Sequence, residues 1–326
     1  MNLKRIFKIT ILVLLAVVIV FTGCEKKKAP PPVAKKEAEQ PKFEFKEEIY
    51  GDPEIFSTPR VQFVWQAPGL PSDEIWSMRL DGSDLRRAVK AELLWAEQAT
   101  GLGHDPVRSP DNRFIVVSMR TARSLEKHLI DLKTQTKTII MSGGLKPYFA
   151  WRPDSKSVVF ISDPGLLEYF VETKELRKLK PYEGYGHYIL QDGRFVVVTK
   201  KGVSFYTPDQ KFIRAIDIFA PGEIGDQEEW VSFYHRISWD GKFMVYELGD
   251  STRFIRLDEP KNPIWTTKKR YDSGGFDYSG KYFYYSIGRL DLKTNEDIAL
   301  IDWPCIKHDC GGAPLYTTIF NLGAAR

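Results

Sequence analysis

The sequence predicts an all-β fold, a six-bladed β-propeller of four-stranded antiparallel blades, and three observations lead there. A short turn followed by an apolar strand recurs along the chain at spacings of 38 to 48 residues. Each recurrence is followed by two further strand-like stretches joined by another turn. The chain has 326 residues, 43% hydrophobic and 13% aromatic, which is enough apolar material to bury a sizeable core.

In chain order, the first element is a targeting segment. Lys4, Arg5 and Lys8 precede an uncharged run from Ile9 to Val20 dominated by Ile, Leu and Val, and the run ends on Phe21-Thr22-Gly23-Cys24. A basic start and an apolar run too short for a comfortable membrane span are the marks of an export signal. The last four residues resemble the lipobox of bacterial lipoproteins, with Phe21 where that family usually carries Leu. The resemblance implies a signal peptide over residues 1–23 and diacylation of Cys24, which becomes the first residue of the mature chain. Membrane lipid is then a partner through Cys24, since each buried CH₂ contributes roughly 0.8 kcal/mol. The competing reading is an uncleaved anchor helix with an incidental Cys. In the lipoprotein family an Asp directly after the Cys tends to hold the protein at the inner membrane. Glu25 stands there instead, so the expected location is the bacterial cell envelope, facing the periplasm, with the outer membrane favoured.

Residues 25–48 are Lys, Glu, Ala and Pro with almost no large apolar side chains, too few to offset ordering entropy. With Cys24 they are expected to form a flexible tether over 24–48, reaching on the order of 3 Å per residue at most, and the folded domain is expected to fill 49–326. Of 47 Lys+Arg, ten lie before residue 49, and of 43 Asp+Glu, six do, which leaves 37 of each for the folded part. A neutral domain with no basic run is a poor match for a phosphate backbone, so nucleic acid is not an expected partner.

The copies of the repeat are SPDNRFIVVSM (109–119), RPDSKSVVFIS (152–162), LQDGRFVVVTK (190–200), SWDGKFMVYEL (238–248) and DYSGKYFYYSI (277–287). Each places Asp-Gly, Asp-Asn or a close relative where a tight turn needs tolerance of positive φ, then a basic residue, then a β-branched or aromatic strand. The turn positions Asp111, Asp154, Asp192, Asp240 and Ser279 are spaced 43, 38, 48 and 39 residues, a period that suits one propeller blade. A sixth unit comes first in sequence. Arg60–Trp65 matches the apolar strand and EIWSMRLDGSDLRRAV (74–89) the next two, but no turn-plus-strand precedes Arg60, so this blade lacks an inner strand. The β-prone stretch 313–322 has no blade of its own, and pairing it into the first blade would close the ring. The segment 90–103, rich in helix formers, reads as a small insertion over one face.

The blocks SPDNRF, WRPDSKSVVF, SWDGKFMVYEL and IWSMRLDGSDLRR resemble the WD-type repeats of the TolB translocation protein family. The resemblance covers roughly residues 55–326 and implies a six-bladed propeller. It is poorly specific for function, because related propellers serve as binding scaffolds, as oligogalacturonate lyases and as accessory domains of peptidases. The TolB family carries a separate N-terminal α/β domain, where the reading of this sequence expects only the tether.

Candidate chemistry is sparse. If Cys24 is acylated, Cys305 and Cys310 remain as a pair in WPCIKHDCGG, read as a disulfide in an oxidising compartment; the alternative is a metal pair assisted by His308. Asp272-Ser273-Gly274-Gly275 echoes the nucleophile segment of trypsin-like proteases, yet falls where loop residues are expected. No GxSxG, HExxH, P-loop or GxGxxG occurs, no catalytic residue is assigned, and no cofactor is called for. Superposing blades on the turn Asp puts His187 and His235 five residues before it in neighbouring blades and His104 seven before it, near a channel mouth. Imidazoles there could converge on a metal or anionic ligand, or could simply pack and bond backbone carbonyls. Tyr182–His187 and Glu228–His235 carry aromatic side chains on connecting loops, candidates for a binding face. Two functions from different classes are expected: a tethered propeller that binds another envelope protein or a peptide, or a channel-mouth small-molecule or oligosaccharide site, with metal-assisted lyase chemistry.

Overall fold

The computed structural model describes residues 45–67, 70, 72–95, 99–143, 148–162, 165–182, 184, 186–220, 235–268, 271, 274–276, 281–285, 288–299 and 315–320, with backbone alone at 104, 105, 299 and 315–320. The signal segment, Cys24, most of the tether, Cys305, Cys310 and the turn at Ser279 lie outside these residues.

Six sheets follow one another, as the repeats predict. Blade two consists of Ala99–Arg108, Phe114–Thr121, Leu125–Asp131 and Thr136–Ser142, each antiparallel to the next. Blade three runs Ala150–Trp151, Ser157–Ser162, Gly165–Phe170, Leu176–Lys178. Blade four is Gly186–Ile189, Phe195–Thr199, Gly202–Tyr206, Phe212–Asp217. Blade five is His235–Ile237, Phe243–Leu248, Ser251–Arg256, Trp265–Thr267, and blade six is Gly275–Phe276, Tyr282–Tyr285, Gly288–Asp291, Asp297–Ala299. In blade one Arg60–Trp65, Glu74–Arg79 and Arg86–Val89 hold the second, third and fourth places. Leu315–Phe320 lies antiparallel to Arg60–Trp65 in the first place, with Phe320 opposite Arg60 and Leu315 opposite Val64.

The turns follow from their residues. Asn112, Ser155, Gly193 and Gly241 sit at φ +62°, +60°, +82° and +72°, each one residue after the turn Asp. In every case the Asp Oδ1 accepts from the amide two residues on, at 3.0 to 3.1 Å (Arg113, Lys156, Arg194, Lys242). Antiparallel alternation places these turns, and those between third and fourth strands, on one end of the disc, the turn face. Connections between blades, and between second and third strands, gather on the other end, the loop face.

The core is divided among the interfaces. Along Phe114–Met119 the side chains Ile115, Val117 and Met119 pack with Val64 and Ile75 of blade one, while Phe114 and Val116 pack with Trp151, Val158 and Phe160 of blade three. Period-two alternation thus feeds two interfaces from one strand, and both faces must be apolar. The last interface joins blade six to blade one, where Tyr284 packs among Val61, Phe63, Trp65 and Trp76.

Two sequence expectations change. Residues 45–48 belong to the fold rather than to the tether: Lys46–Glu47 adds a parallel strand beside Arg86–Arg87, and Phe45 packs edge-on against Trp76 at 4.9 Å. Their charges explain this. Glu48 accepts from the buried Arg108 and, at 2.6 Å, from Ser77 Oγ. Nearby, Asp84 joins two buried guanidinium groups, 2.8 Å from Arg60 Nη1 and 2.9 Å from Arg86 Nε, while Arg86 also reaches Asp52, the N-cap of the helix Pro53–Ser57, and Glu54 within it. Burial alone would raise the Asp84 pKa, but hydrogen bonds from Arg86 and Arg60 outweigh it and hold the carboxyl below its usual range. The segment 90–103 is no insertion over a face. Ala91–Leu94 is one helical turn whose Leu94 is buried between blades one and two, and the inner strand of blade two starts at Ala99. Lys137 Nζ caps that turn, donating to the Leu94 and Trp95 carbonyls at 3.1 and 2.8 Å.

Candidate functional site

Blades three and four leave a cleft of about 130 Å³ on the loop face, walled by Ile161, Leu166, Pro181, Tyr182, Val197 and His187. Local sequence builds it. After Leu176–Lys178 the chain extends the sheet once more, Leu179 N–H donating to the Leu166 carbonyl at 2.9 Å, then crosses to blade four. Tyr182 turns its ring inward against Tyr206 and Phe195, at 4.5 and 5.6 Å between centroids. Gly184 lies flat on blade four, where a Cβ would collide with the Val198 carbonyl oxygen and the Val197 side chain.

His187 stands opposite Val197 in the ladder and is 2% exposed. Its Nε2 is 3.4 Å from the Val159 carbonyl of blade three, a contact in which the ring nitrogen donates. Burial lowers its pKa to about 4, with the Val159 contact acting weakly the other way, so the imidazole is neutral near pH 7. Nδ1 finds no hydrogen-bond partner among the described residues.

The preceding residue faces the other way. Gly186 presents its bare Cα to His235 of blade five, whose Nε2 would lie 2.8 Å from a Cβ there. The His235 ring, 1% exposed, is stacked on Tyr148 at 5.7 Å and meets Tyr188 edge-on at 5.6 Å. Tyr188 Oη donates to the His235 carbonyl at 2.6 Å. The equivalent positions that the repeat predicts are therefore real, but each histidine faces the preceding blade. His187 occupies the interface of blades three and four and His235 that of four and five, with the backbone of Gly186–Ile189 between them. The structure does not bring them together on one ligand. His104 pairs with Ser118 in the ladder of blade two, and its side chain lies outside the described residues. No group of three or more His, Cys, Asp or Glu able to hold a metal ion occurs among the described residues.

Other sequence candidates divide similarly. Gly274, in the Asp-Ser-Gly-Gly segment, has φ +152° and a Cβ there would collide with the Tyr284 carbonyl oxygen, a loop reason for glycine; Asp272 and Ser273 lie outside the described residues. So do Glu228–Tyr234. Trp151 is core, donating from Nε1 to the Val107 carbonyl at 3.0 Å. Sequence reasoning singled out Tyr182 and His187 but missed the cleft walls Ile161, Leu166 and Val197, because ordinary strand residues carry no signal of what lies between two sheets. It also missed Glu168, a buried carboxylate held by Arg152, Ser157 and Arg177 at 2.9, 2.8 and 2.5 Å. Burial would raise its pKa, yet these three partners hold it below the usual range.

No protein-family model matches the chain, and no curated protein does. Among solved structures it is similar to TolB from Acinetobacter baumannii, with a TM-score of 0.57 and 16% identity over 81% of this chain and 67% of that one. It is more distantly similar to an oligogalacturonate lyase from Vibrio parahaemolyticus, TM-score 0.44 and 11% identity over 73% and 78%. A chain of the nidogen/laminin complex matches at TM-score 0.48 and 9% identity over 79% and 98%. At these identities the likeness is one of fold, and it is the TolB-like six-bladed propeller that the repeats predict.

Proposed function

We propose that this chain is a lipid-anchored protein of the bacterial cell envelope, tethered through Cys24 to the outer membrane, whose propeller binds another envelope protein or a peptide with its loop face. The observation that carries the binding reading is the cleft beside His187. At about 130 Å³ it is well below the several hundred Å³ of a typical small-molecule site. A cleft of that size with apolar walls suits one anchoring side chain of a larger partner. The lyase reading needs a base and several ligands that converge, and His187 and His235 face different interfaces.

A photo-crosslinking residue placed at Pro181 on the loop face, and at Asp154 or Asp192 on the turn face, tests the proposal in cells. A discrete adduct is expected from Pro181, lost on Leu166→Arg. Adducts from the turn-face positions alone would refute the assignment of the face.

A further inference from the structure

Toward the turn face, the seam between blades one and two changes from apolar to cationic. Val64 and Ile75 of blade one pack on blade two, and by strand alternation Gln62, Ser77 and Arg60 continue the same face. Three buried guanidinium groups gather there: Arg60 and Arg86, each first in its strand, and Arg108, last in the inner strand of blade two. Blade one supplies Asp84 to Arg60 and Arg86. The other carboxylates come from residues 45–57, a strap that precedes the first propeller strand. Glu48 accepts from Arg108 and from Ser77 Oγ, Asp52 accepts from Arg86, and Glu54 accepts from Arg86 Nη2 at 2.6 Å. The seam thus takes its counter-charge from a segment outside the blade repeat.

Charge, more than apolar packing, holds that segment. Ile55 is the one apolar side chain of residues 45–57 in the core, and Ile49 is 66% exposed. The strap pairs only with the outer edge of blade one, where Glu48 N–H donates to the Arg87 carbonyl at 2.8 Å. Arg60–Trp65 is paired on both sides, with Glu74–Arg79 and Leu315–Phe320, so the strap can peel away without breaking either ladder. The guanidinium groups it leaves behind then need water or another anion. Carboxylates at the same spacing, on an extended chain, satisfy them by charge-assisted hydrogen bonds.

We propose that the seam between blades one and two is a receptor for an acidic, extended segment of a partner protein, which exchanges with the chain's own residues 48–54. The strap is then an intramolecular stand-in for that segment, and Glu48, the most buried of its carboxylates, marks the position where an acid matters most. The receptor lies at the turn-face end of the disc and is independent of the loop-face cleft. Being covalently attached, the strap competes at an effective concentration on the order of millimolar, so only a well-matched acidic segment replaces it.

The test uses the strap's own sequence as the probe. A fluorescein-labelled peptide of residues 45–57 is titrated into full-length protein in detergent, wild type and the double variant Glu48→Gln, Asp52→Asn, and anisotropy is followed. Saturable binding to the double variant is expected, at least about tenfold weaker to the wild type, where the intact strap competes. A peptide carrying Glu48→Gln, Asp52→Asn and Glu54→Gln should bind the double variant at least about tenfold more weakly than the acidic one. No saturable binding to the double variant, equal binding of the two peptides, or equal binding to the two proteins each overturns the proposal. Hydrogen exchange in the ¹⁵N-labelled wild type decides even if the double variant fails to fold. The amides of Glu48, Ile55 and Phe56, bonded in the strap, should show protection at least about tenfold lower than those of Arg60–Trp65, and excess acidic peptide should lower the Glu48 protection further. Strap amides that exchange only together with Arg60–Trp65, or a Glu48 protection that the peptide leaves unchanged, would overturn the proposal. Crosslinking from Pro181 decides the loop-face reading separately.

Discussion

Gly186 of blade four and His235 of blade five are in such close apposition that a Cβ on the glycine would stand 2.8 Å from His235 Nε2 and 3.1 Å from its Cε1. The imidazole cannot swing clear, because Tyr148 stacks on one side and Tyr188 meets it edge-on. Gly186→Ala should therefore destabilise the protein by about 1–3 kcal/mol, the usual cost of overpacking. Thermal unfolding of the variant checks this. An unchanged midpoint would mean that the His235 ring relocates freely.

His187 gives a pH dependence of definite sign. Its pKa is about 4 in the fold and about 6.5 unfolded. Between these values only the unfolded chain takes the proton, so acidification draws the equilibrium toward unfolding. The neutral ring's contribution is fully present above pH 6.5, falls as pH drops through the window, and is gone below pH 4. The full difference is about 3 kcal/mol. Urea unfolding at pH 7 and pH 4.5 should show a smaller acid loss in His187→Gln than in the wild type. Parallel losses would place the sensitivity elsewhere.

Much of the fold was legible because turns and strands are local. The positive φ at Asn112, Ser155, Gly193 and Gly241 follows from one short motif read four times, and strand alternation follows from runs such as Phe114–Met119. What a strand faces is not local. Register put His187 and His235 at equivalent positions, but whether they share a ligand depends on which neighbour the first strand of each blade addresses, and period-two alternation alone leaves that open. Long-range charge pairs were hidden for the same reason. Glu48 looked like one more acidic residue in a Lys/Glu tether until Arg108 and Ser77, 60 and 29 residues away, were seen to hold it. Composition misled again at 90–103, where helix formers suggested a flap and Leu94 proved to be core.

Asp84 is the hinge of that charge network. It accepts from Arg60 and Arg86, whose side chains are 0% and 4% exposed, while Asp84 itself is 10% exposed. Asp84→Asn keeps the shape but leaves two buried cations without their shared counter-charge, and removing one partner of a buried ion pair typically costs about 3–5 kcal/mol. A loss of that order in chemical denaturation is expected. A change under about 1 kcal/mol would show that Asp52 and Glu54 neutralise the site unaided.

Cys24→Ser tests the anchor. If the apolar run and Phe21-Thr22-Gly23-Cys24 are processed as a lipoprotein signal, the Ser variant should remain an unprocessed precursor without lipid. Fractionation and metabolic labelling with a fatty acid would follow both. A Ser variant that is still cleaved and still labelled would exclude Cys24 as the lipid site.

The C-terminal strand offers the last test, and it separates two ways of holding the ring together. Leu315–Phe320 covers the inner edge of Arg60–Trp65, where it supplies the ladder opposite Arg60, Val61, Gln62 and Val64. Blade six also meets blade one through side chains alone, with Tyr284 among Val61, Phe63, Trp65 and Trp76. Ending the chain at residue 312 removes the strand and leaves the packing. It bares the backbone donors and acceptors of a central apolar strand, which must then find water or another chain. Insolubility or a large loss of cooperative stability is expected, and in a soluble fraction the amides of Arg60–Trp65 should lose hydrogen-exchange protection before those of blade four. A truncated protein that melts with the full-length one, its Arg60–Trp65 amides still protected, would show that packing between blades six and one suffices and that the strand is dispensable for closure.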